Sequence, residues 1–579
     1  MGLVRQVIPL AQWLPGYGWA ALRGDVLAGL TVGVMLIPQA MAYALLAGVP
    51  PIYGLYASVA PLVVYALLGT SRHLAVGTVA LDMVIVASGV SALAAVGTDA
   101  YLELVILLVM MVGALEIGMG LLRLGFVVIL LSRPVISGFT SAAALIIAAS
   151  QLGNLVGVAV PRSESLFAVL WDVGARIGQF EEWSLAVGVG SVLVLLAVQR
   201  WVPRVPGPIL VVVASMVGVA LLGVDVRGLA FVGAVPAGLP EPRLPSVEWG
   251  AVGALFPTAL TLVLVQFMSV ISLGKVFAAR HRYDVEANRE LVAIGAANLV
   301  GGVFRGIPVS GSFSRTAVNE RAGARTPLAN AFAAALVVVT LLLLTPLFAL
   351  LPVPVLAAII IVAALGLFDL RELRHLLHSK PIDGSIALLT FAVTLVLGLQ
   401  EGILLGVGAS VIAILYRISR PNVAILGHLP GTRTFVDVER NPEAHQYDGL
   451  LILRVEASFS YVNADLLKEF LLEESARRGA RAILLDATSI NDLDLTAAAM
   501  LINVAEQLQQ RGVALYLGGV KGGVRDVMER SGLLEVLGAD HLFLNPFRAA
   551  RAILTAWGEE AALLRRVPGG VADEAGPRP

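Results

Sequence analysis

The residues whose chemistry is most out of place lie inside the most apolar stretches of the chain. Gln39 follows Pro38 within LIPQAMAYALLAG, and Tyr43 stands one helical turn further on, on the same face. Asp82 is the only acid in the run LAVGTVALDMV. Ser310, Ser312, Ser314 and Arg315 crowd the segment GIPVSGSFSRTAVNE, residues 306–320. An ionisable group at bilayer depth is costly and usually marks a substrate or ion pathway. The hydroxyls and Arg315 together offer donors and a positive charge, which is chemistry for an anion. Each residue also has a plainer reading. Arg315 would serve as an inside-facing arginine at a helix end, Gln39 as a hydrogen bond between helices, and Tyr43 as packing. Ser310 and Ser312 would cap a helix, which is compatible with binding. Asp82 either pairs with a cation or acts as a coupling group. His73 beside Arg72 reads as a structural turn residue.

The elements that must position these groups are broken. Backbone in hydrocarbon is normally continuous helix, because unpaired N–H and C=O groups there cost several kcal/mol each. The stretch from Pro38 to Leu81 has a Pro-Gln inside an apolar helix, a Pro-Pro turn, a Gly/Ser/Arg/His break, and then a new helix that starts on small residues. SRHLAVGTVALDMV (71–84) and GIPVSGSFSRTAVNE (306–320) each begin with an extended, Gly-containing piece and run on into a helix rich in Thr, Ser and Ala. They fall third and tenth among fourteen apolar segments, the arrangement of a seven-plus-seven inverted repeat. Two half-helix N-termini meeting at the midplane would converge free N–H groups and positive dipole ends on one point, which favours an anion.

Composition sets the class. The 579 residues are 58% hydrophobic and 14% charged, with mean hydropathy +0.86, whereas a soluble protein carries roughly 25% charged residues. This is a polytopic membrane protein. A net charge of −1 gives no bulk attraction for nucleic acid, and the absence of cysteine excludes disulfides and thiolate chemistry. Spans of about 20 residues are expected near 25–46, 51–68, 77–95, 101–122, 125–151, 184–200, 208–222, 251–276, 288–304, 310–320, 327–350, 353–368, 382–399 and 401–418, with an interfacial helix at 164–178. Residues 1–24 read as a cytoplasmic lead-in and not as a cleaved signal peptide. With the N-terminus inside, inside turns hold Arg123, Arg200, Arg204, Lys275, Arg280, Arg282, Arg321, Arg325, Arg371, Arg374, Lys380, Arg417 and Arg420. Outside turns hold Glu181, Glu182, Asp225, Glu241, Glu248 and Glu401, with Arg162, Arg227 and Arg243 as exceptions. Both termini then lie in the cytoplasm. After Pro421, strands at 449–457, 480–488 and 512–520 alternate with helices Asn463–Arg478, Thr496–Gln510 and Gly523–Ser531, which is a small α/β domain over 421–560. The tail, 561–579, is rich in Gly, Pro and acids and reads as disordered. No enzyme constellation, cofactor motif or metal-ligand cluster stands out.

Four motifs carry a family resemblance: PQAMAYALLAGVPPIYGLYAS (38–58), GTSRHLAVG (69–77), DVEANRELVAIGAANLVGG (284–302) and VSGSFSRTAVNERAGARTPLA (309–329). With the C-terminal domain, which looks like a STAS domain, the chain resembles the SulP sulfate-permease family of inorganic anion transporters and exchangers. The resemblance implies a nucleobase-transporter-like fold: a core of spans 1–4 and 8–11 that moves as an elevator against a gate of spans 5–7 and 12–14. It also implies a homodimer in the cell (inner) membrane. Carried over by motif, the pocket uses Gln39, Tyr43, Ser314 and Arg315, and adds Val79 with its neighbouring backbone N–H groups. Sulfate is the leading substrate, with bicarbonate, chloride or a dicarboxylate as alternatives.

Two departures from the family stand out. The family's acidic position in the eighth span falls on Met268 or Ser269, which favours exchange or uncoupled flux over cation-coupled symport. In the STAS-like domain Leu495 follows Asp494 where a phosphorylatable serine would stand, with Thr496 nearby, so that switch is not expected, and a scaffold, nucleotide-sensing or purely structural role is left for the domain. A nucleobase permease would want a buried carboxylate in the eighth span. A membrane-anchored signalling protein would not need two broken half-helices.

Overall fold

The computed structural model describes residues 14–126, 132–160, 166–202, 206–222, 229–245, 249–560 and 563. Most of the expected lead-in, nearly all of the expected tail, and Arg162, Arg204, Asp225, Arg227 and Glu248 of the orientation argument lie outside them. The chain forms two compact units, Met1–Ser410 and Val411–Pro579.

The first unit is built from helices. They are α1 (Trp19–Ala47), α2 (Ile52–Tyr56), α3 (Ala60–Leu68), α4 (Ala80–Ser91), α5 (Asp99–Leu121), α6 (Arg133–Ser150), α7 (Leu152–Val156), α8 (Leu166–Ala175), α9 (Glu182–Trp201), α10 (Gly207–Leu222), α11 (Trp249–His281), α12 (Ala287–Val303), α13 (Phe313–Arg321), α14 (Leu328–Val339), α15 (Val353–Leu365), α16 (Leu370–Ser379), α17 (Pro381–Leu397) and α18 (Leu399–Ser419). With α2–α3 and α6–α7 each taken as one broken segment, and α8 and α16 set aside, these are the fourteen expected spans. Eight of the described helices are long and apolar enough to cross a membrane. The first span begins at Trp19, ahead of its expected start, because WAALRGDV continues the helix without a breaker. The amphipathic helix α16 replaces an expected turn. Asp369 caps it by accepting from the N–H groups of Arg371 and Glu372, both at 3.0 Å, and the helix buries only Leu373.

Helix packing repeats between the halves. The fourth span, α5, lies on α11 and α12, the eighth and ninth. Its counterpart α14, the eleventh, lies on α1 and α3, the first and second. Likewise α6 packs on α17 as α9 packs on α15. Exchanging the first seven spans with the second seven turns each pair into the other. Small residues allow the close approaches, as is usual where lipid supplies no hydrophobic drive. A Cβ on Gly29 would sit 2.4 Å from the Ala329 carbonyl oxygen, and one on Gly113 would sit 2.6 Å from the Gly295 oxygen.

A buried carboxylate fixes the turn before the third span. Glu290 of α12 accepts from the Tyr65 hydroxyl at 2.8 Å, the Thr70 N–H and hydroxyl at 2.6 and 2.5 Å, and the Ser71 N–H at 2.6 Å. Asp25 of α1 does similar work for residues 325–326. It accepts from the N–H groups of Arg325 and Thr326 at 2.6 and 3.0 Å, from the Thr326 hydroxyl at 2.5 Å and from the Tyr17 hydroxyl at 3.1 Å.

The second unit is an α/β domain. Its six-stranded sheet has strands β3 (Val423–His428), β4 (Phe435–Asp437), β5 (Leu450–Val455), β6 (Ala482–Asp486), β7 (Ala514–Gly518) and β8 (Leu542–Phe543), in the order β4-β3-β5-β6-β7-β8. β5 through β8 run parallel, and β3 pairs antiparallel with both β4 and β5. Strand alternation feeds two cores. Leu451, Leu453, Ile483 and Leu485 point to one face, under α19 (Ala464–Arg477) and α20 (Leu495–Gln510). Leu450, Ile452, Ala482 and Leu484 point to the other, with Ala549, Ala550 and Ile553 of a C-terminal helix, Pro546–Ala556. That helix and strands β3, β4 and β8 were not anticipated; β4 and β8, of three and two residues, are edge strands with little alternation to read. Asp494 caps α20: it accepts from the Ala497 N–H at 2.8 Å and from the Tyr461 N–H at 2.7 Å.

Removing the Glu290 carboxylate strands buried donors, each worth roughly 1–3 kcal/mol. Glu290→Ala should therefore cost about 3–5 kcal/mol and lower the unfolding midpoint of the detergent-solubilised protein well below that of Glu290→Gln, which keeps an acceptor. A thermal-shift series followed by size exclusion checks the order.

Candidate functional site

The third and tenth spans are half-helices joined through their extended leaders. Strand β1 (Val76–Gly77) leads into α4, and β2 (Ser310–Gly311) leads into α13. The two strands pair antiparallel, Val76 with Gly311 and Gly77 with Ser310. Side chains complete the backbone bonding that a helix would have supplied. Asn330 accepts from the Val76 N–H at 3.0 Å and donates to the Leu74 carbonyl at 2.9 Å. Thr316 accepts from the Ala75 N–H at 3.1 Å. Asn319 donates to the His73 carbonyl at 2.8 Å, and Asn298 accepts from the Val309 N–H at 2.8 Å. His73 is a structural residue of this leader, with its ring stacked on His281 at 4.2 Å between centroids.

Val79 is the N-cap of α4 and Ser312 that of α13; both are extended, and neither helix start has a side-chain cap. Their first-turn N–H groups therefore remain available. A cavity of about 770 Å³ lies against both helix starts. Gln39, Tyr43, Val79, Leu81, Ser312 and Ser314 line it, together with Met268 and Ser269, the two candidates for the family's acidic position. The opposite wall comes from α6, α9, α10 and α15, including Thr140, Gln199 and Ile359. Ser312 and Ser314 face one another, with hydroxyl oxygens 3.3 Å apart.

Arg315 stands differently from what its sequence position implied. It is 1% exposed and does not line the cavity. Its Nη1 donates to Gln39 Oε1 at 3.1 Å, and Nε and Nη2 have no partner among the described residues. Its charge thus sits one layer behind the wall, reaching the cavity through Gln39. Gly77 makes room for it: a Cβ there would lie 3.1 Å from Nη2 and 2.8 Å from Leu36 Cδ1.

Asp82 is likewise buried and deeper than the cavity wall. Its Oδ2 accepts from Gln266 Nε2 at 2.9 Å. The Gln266 oxygen accepts from Asn298 Nδ2 at 3.0 Å, and the same nitrogen reaches Glu116 Oε2 at 3.0 Å. Sequence reading did not single out Gln266, Asn298 or Glu116. The available signal was a polar side chain within an apolar run, and it is strongest for Glu116.

Paired half-helix starts against a cavity, within a two-fold repeat of spans, define the architecture of a multi-pass membrane carrier. The sequence comparisons agree. Residues 22–390 match the sulfate permease family model and residues 441–548 match the STAS domain model. The chain belongs to the sulfate permease family. It is 37% identical over 551 residues to a probable sulfate transporter of Mycobacterium tuberculosis, covering 94% of this chain and 98% of that protein. It is 34% identical over 568 residues to the chloroplastic sulfate transporter 4.1 of Arabidopsis thaliana, covering 95% and 82%. The structure of the murine solute carrier 26 family member A9 anion transporter in its inward-facing state superposes with a TM-score of 0.87 at 25% identity, covering 96% and 95%.

The cysteine-free sequence makes the cavity testable by labelling. A cysteine in place of the exposed Ser314 should react with a polar maleimide at least about tenfold faster than one in place of the fully buried Thr316, since thiol reactivity follows access. Equal rates measured by mass shift would contradict the cavity wall described above.

Proposed function

We propose that this protein is a secondary transporter that moves inorganic anions, sulfate foremost, across the membrane. The observation that carries the reading is Arg315: a buried guanidinium with two nitrogens lacking partners among the described residues, behind two half-helix starts without a side-chain cap. Fixed N–H groups, positive helix ends and one full positive charge favour a compact oxyanion with many acceptors. Gln39 holds the fork in place and presents its own amide to the cavity; Tyr43, Ser312 and Ser314 supply hydroxyls. The backbone N–H groups following Val79 supply further donors. The names of the mycobacterial and plant relatives support sulfate as the substrate.

The cavity has half-helix starts on one wall and α6, α9, α10 and α15 on the other. Spans 1–4 and 8–11 then act as the moving core and spans 5–7 and 12–14 as the fixed gate, so that sliding the core carries the anion across as an elevator. The working form is a homodimer in the cell membrane with both termini cytoplasmic. The cytoplasmic domains are 1–24, 421–560 and the tail, and the α/β domain serves as a scaffold. Span eight lacks an ionisable group at the cavity, which leaves any coupling to other residues.

The test is uptake of labelled sulfate by full-length protein in proteoliposomes, with bicarbonate, chloride and a dicarboxylate as competitors. Arg315→Ala should weaken sulfate binding by about 3 kcal/mol, roughly 100-fold. Arg315→Lys should not restore it, because an ammonium cannot reproduce the fork held by Gln39. Wild-type uptake in Arg315→Ala would overturn the site, and a competitor that outcompetes sulfate would reassign the substrate.

A further inference from the structure

Two carboxyls at bilayer depth have no part in the anion pocket, and one of them is incompletely bonded. Glu116 on α5 is 0% exposed. Its helix lies tightly on α12, where a Cβ on Gly295 would come within 2.9 Å of the Glu116 Cβ. Its Oε2 accepts from Asn298 Nδ2 at 3.0 Å, and its Oε1 has no partner among the described residues. The Asn298 nitrogen has two hydrogens but three acceptors within reach: Glu116 Oε2, Gln266 Oε1 at 3.0 Å and the Val309 carbonyl at 3.2 Å. Gln266 spends an N–H on Asp82 Oδ2. The chain Glu116–Asn298–Gln266–Asp82 therefore has more acceptors than donors. Among the described residues it contains no hydroxyl and no cation. The charged group facing Glu116 is Asp82 of α4, with Arg315 in electrostatic reach of Asp82. From α11 and α12 come the neutral amides Gln266 and Asn298, while the acid of α12, Glu290, is engaged by Tyr65, Thr70 and Ser71.

We infer that Glu116 is a proton-binding site and that its proton travels with the anion. With both acids ionised, Arg315, Asp82 and Glu116 sum to one negative charge beside the pocket, which opposes an anion. One proton on Glu116 brings the sum to zero, removes a like charge facing Asp82 and relieves the competition at Asn298. Anion and proton then favour each other's binding reciprocally. Asp82, whose Oδ2 accepts from Gln266 Nε2, is in this scheme the counter-charge to Arg315. The residues lie on the third, fourth, eighth and ninth spans, so the proton would ride the same moving body as the anion. The carboxyl lies behind the cavity, away from Met268 and Ser269.

This inference rests on the anion-carrier reading, and one preparation separates the two. Wild-type protein is reconstituted with a pH dye trapped inside, and labelled sulfate is added outside. Sulfate entry should acidify the lumen, and a one-unit pH gradient, acid outside, should raise sulfate accumulation up to about tenfold per coupled proton. In Glu116→Gln the ratio of uptake with and without the gradient should fall to about one, with no dye response. Sulfate uptake by wild type without a dye response, or an unchanged gradient ratio in Glu116→Gln, overturns the proton site and leaves the carrier reading intact. Absence of any anion uptake by wild type fails the carrier reading, and this inference with it. If Glu116→Gln does not fold, purified wild type decides. Sulfate added in weak buffer should draw about one proton from solution per anion bound, and no proton uptake refutes the proposal.

Discussion

Backbone at bilayer depth cannot borrow hydrogen bonds from water, and the first unit is organised around the two places where helix is abandoned. The leaders to α4 and α13 pair with each other, Val76 with Gly311 and Gly77 with Ser310, and so each satisfies the other. What the pairing leaves open is closed by side-chain amides and hydroxyls from Asn298, Thr316, Asn319 and Asn330, all on neighbouring elements. The result is a paired backbone unit from which both half-helices start. Their N-termini carry no side-chain cap, so the first-turn N–H groups keep their hydrogen-bonding capacity.

Charge placement follows the same logic. A guanidinium on the cavity wall would bind an anion strongly and release it slowly. Arg315 instead stands behind Gln39, where Gly77 makes room for it. Its field reaches the pocket from one layer back. Opposing it are Asp82 and Glu116, bridged by Gln266 and Asn298 rather than by cations. A carrier has to bind and let go, and a positive charge held in balance by nearby acids allows both.

Much of this was legible in the residues. Pro38-Gln39, the Gly/Ser/Arg/His break and the VSGSFSR run are local violations of a membrane helix, and such violations have few physical explanations. The fourteen segments followed from hydropathy and turn residues, and the α/β domain from alternation at 449–457, 480–488 and 512–520. What escaped depends on three-dimensional layering. Arg315 reads identically whether it faces the pocket or stands behind Gln39. Asn298 stands 32 positions from Gln266 and 182 from Glu116 and meets both only through helix packing, which no periodicity encodes. The helix α16 and the edge strands β4 and β8 are short, so their patterns were too brief to separate from turns.

The claim on which all else rests is that the two half-helix starts form the anion site. The direct measurement is an experimental structure of the full-length protein with selenate, an isostere of sulfate, located by its anomalous scattering. The account predicts one selenium peak per chain between the starts of α4 and α13, within hydrogen-bond distance of the N–H groups after Val79 and Ser312. A peak elsewhere in the cavity, remote from both helix starts and from Gln39, would contradict it.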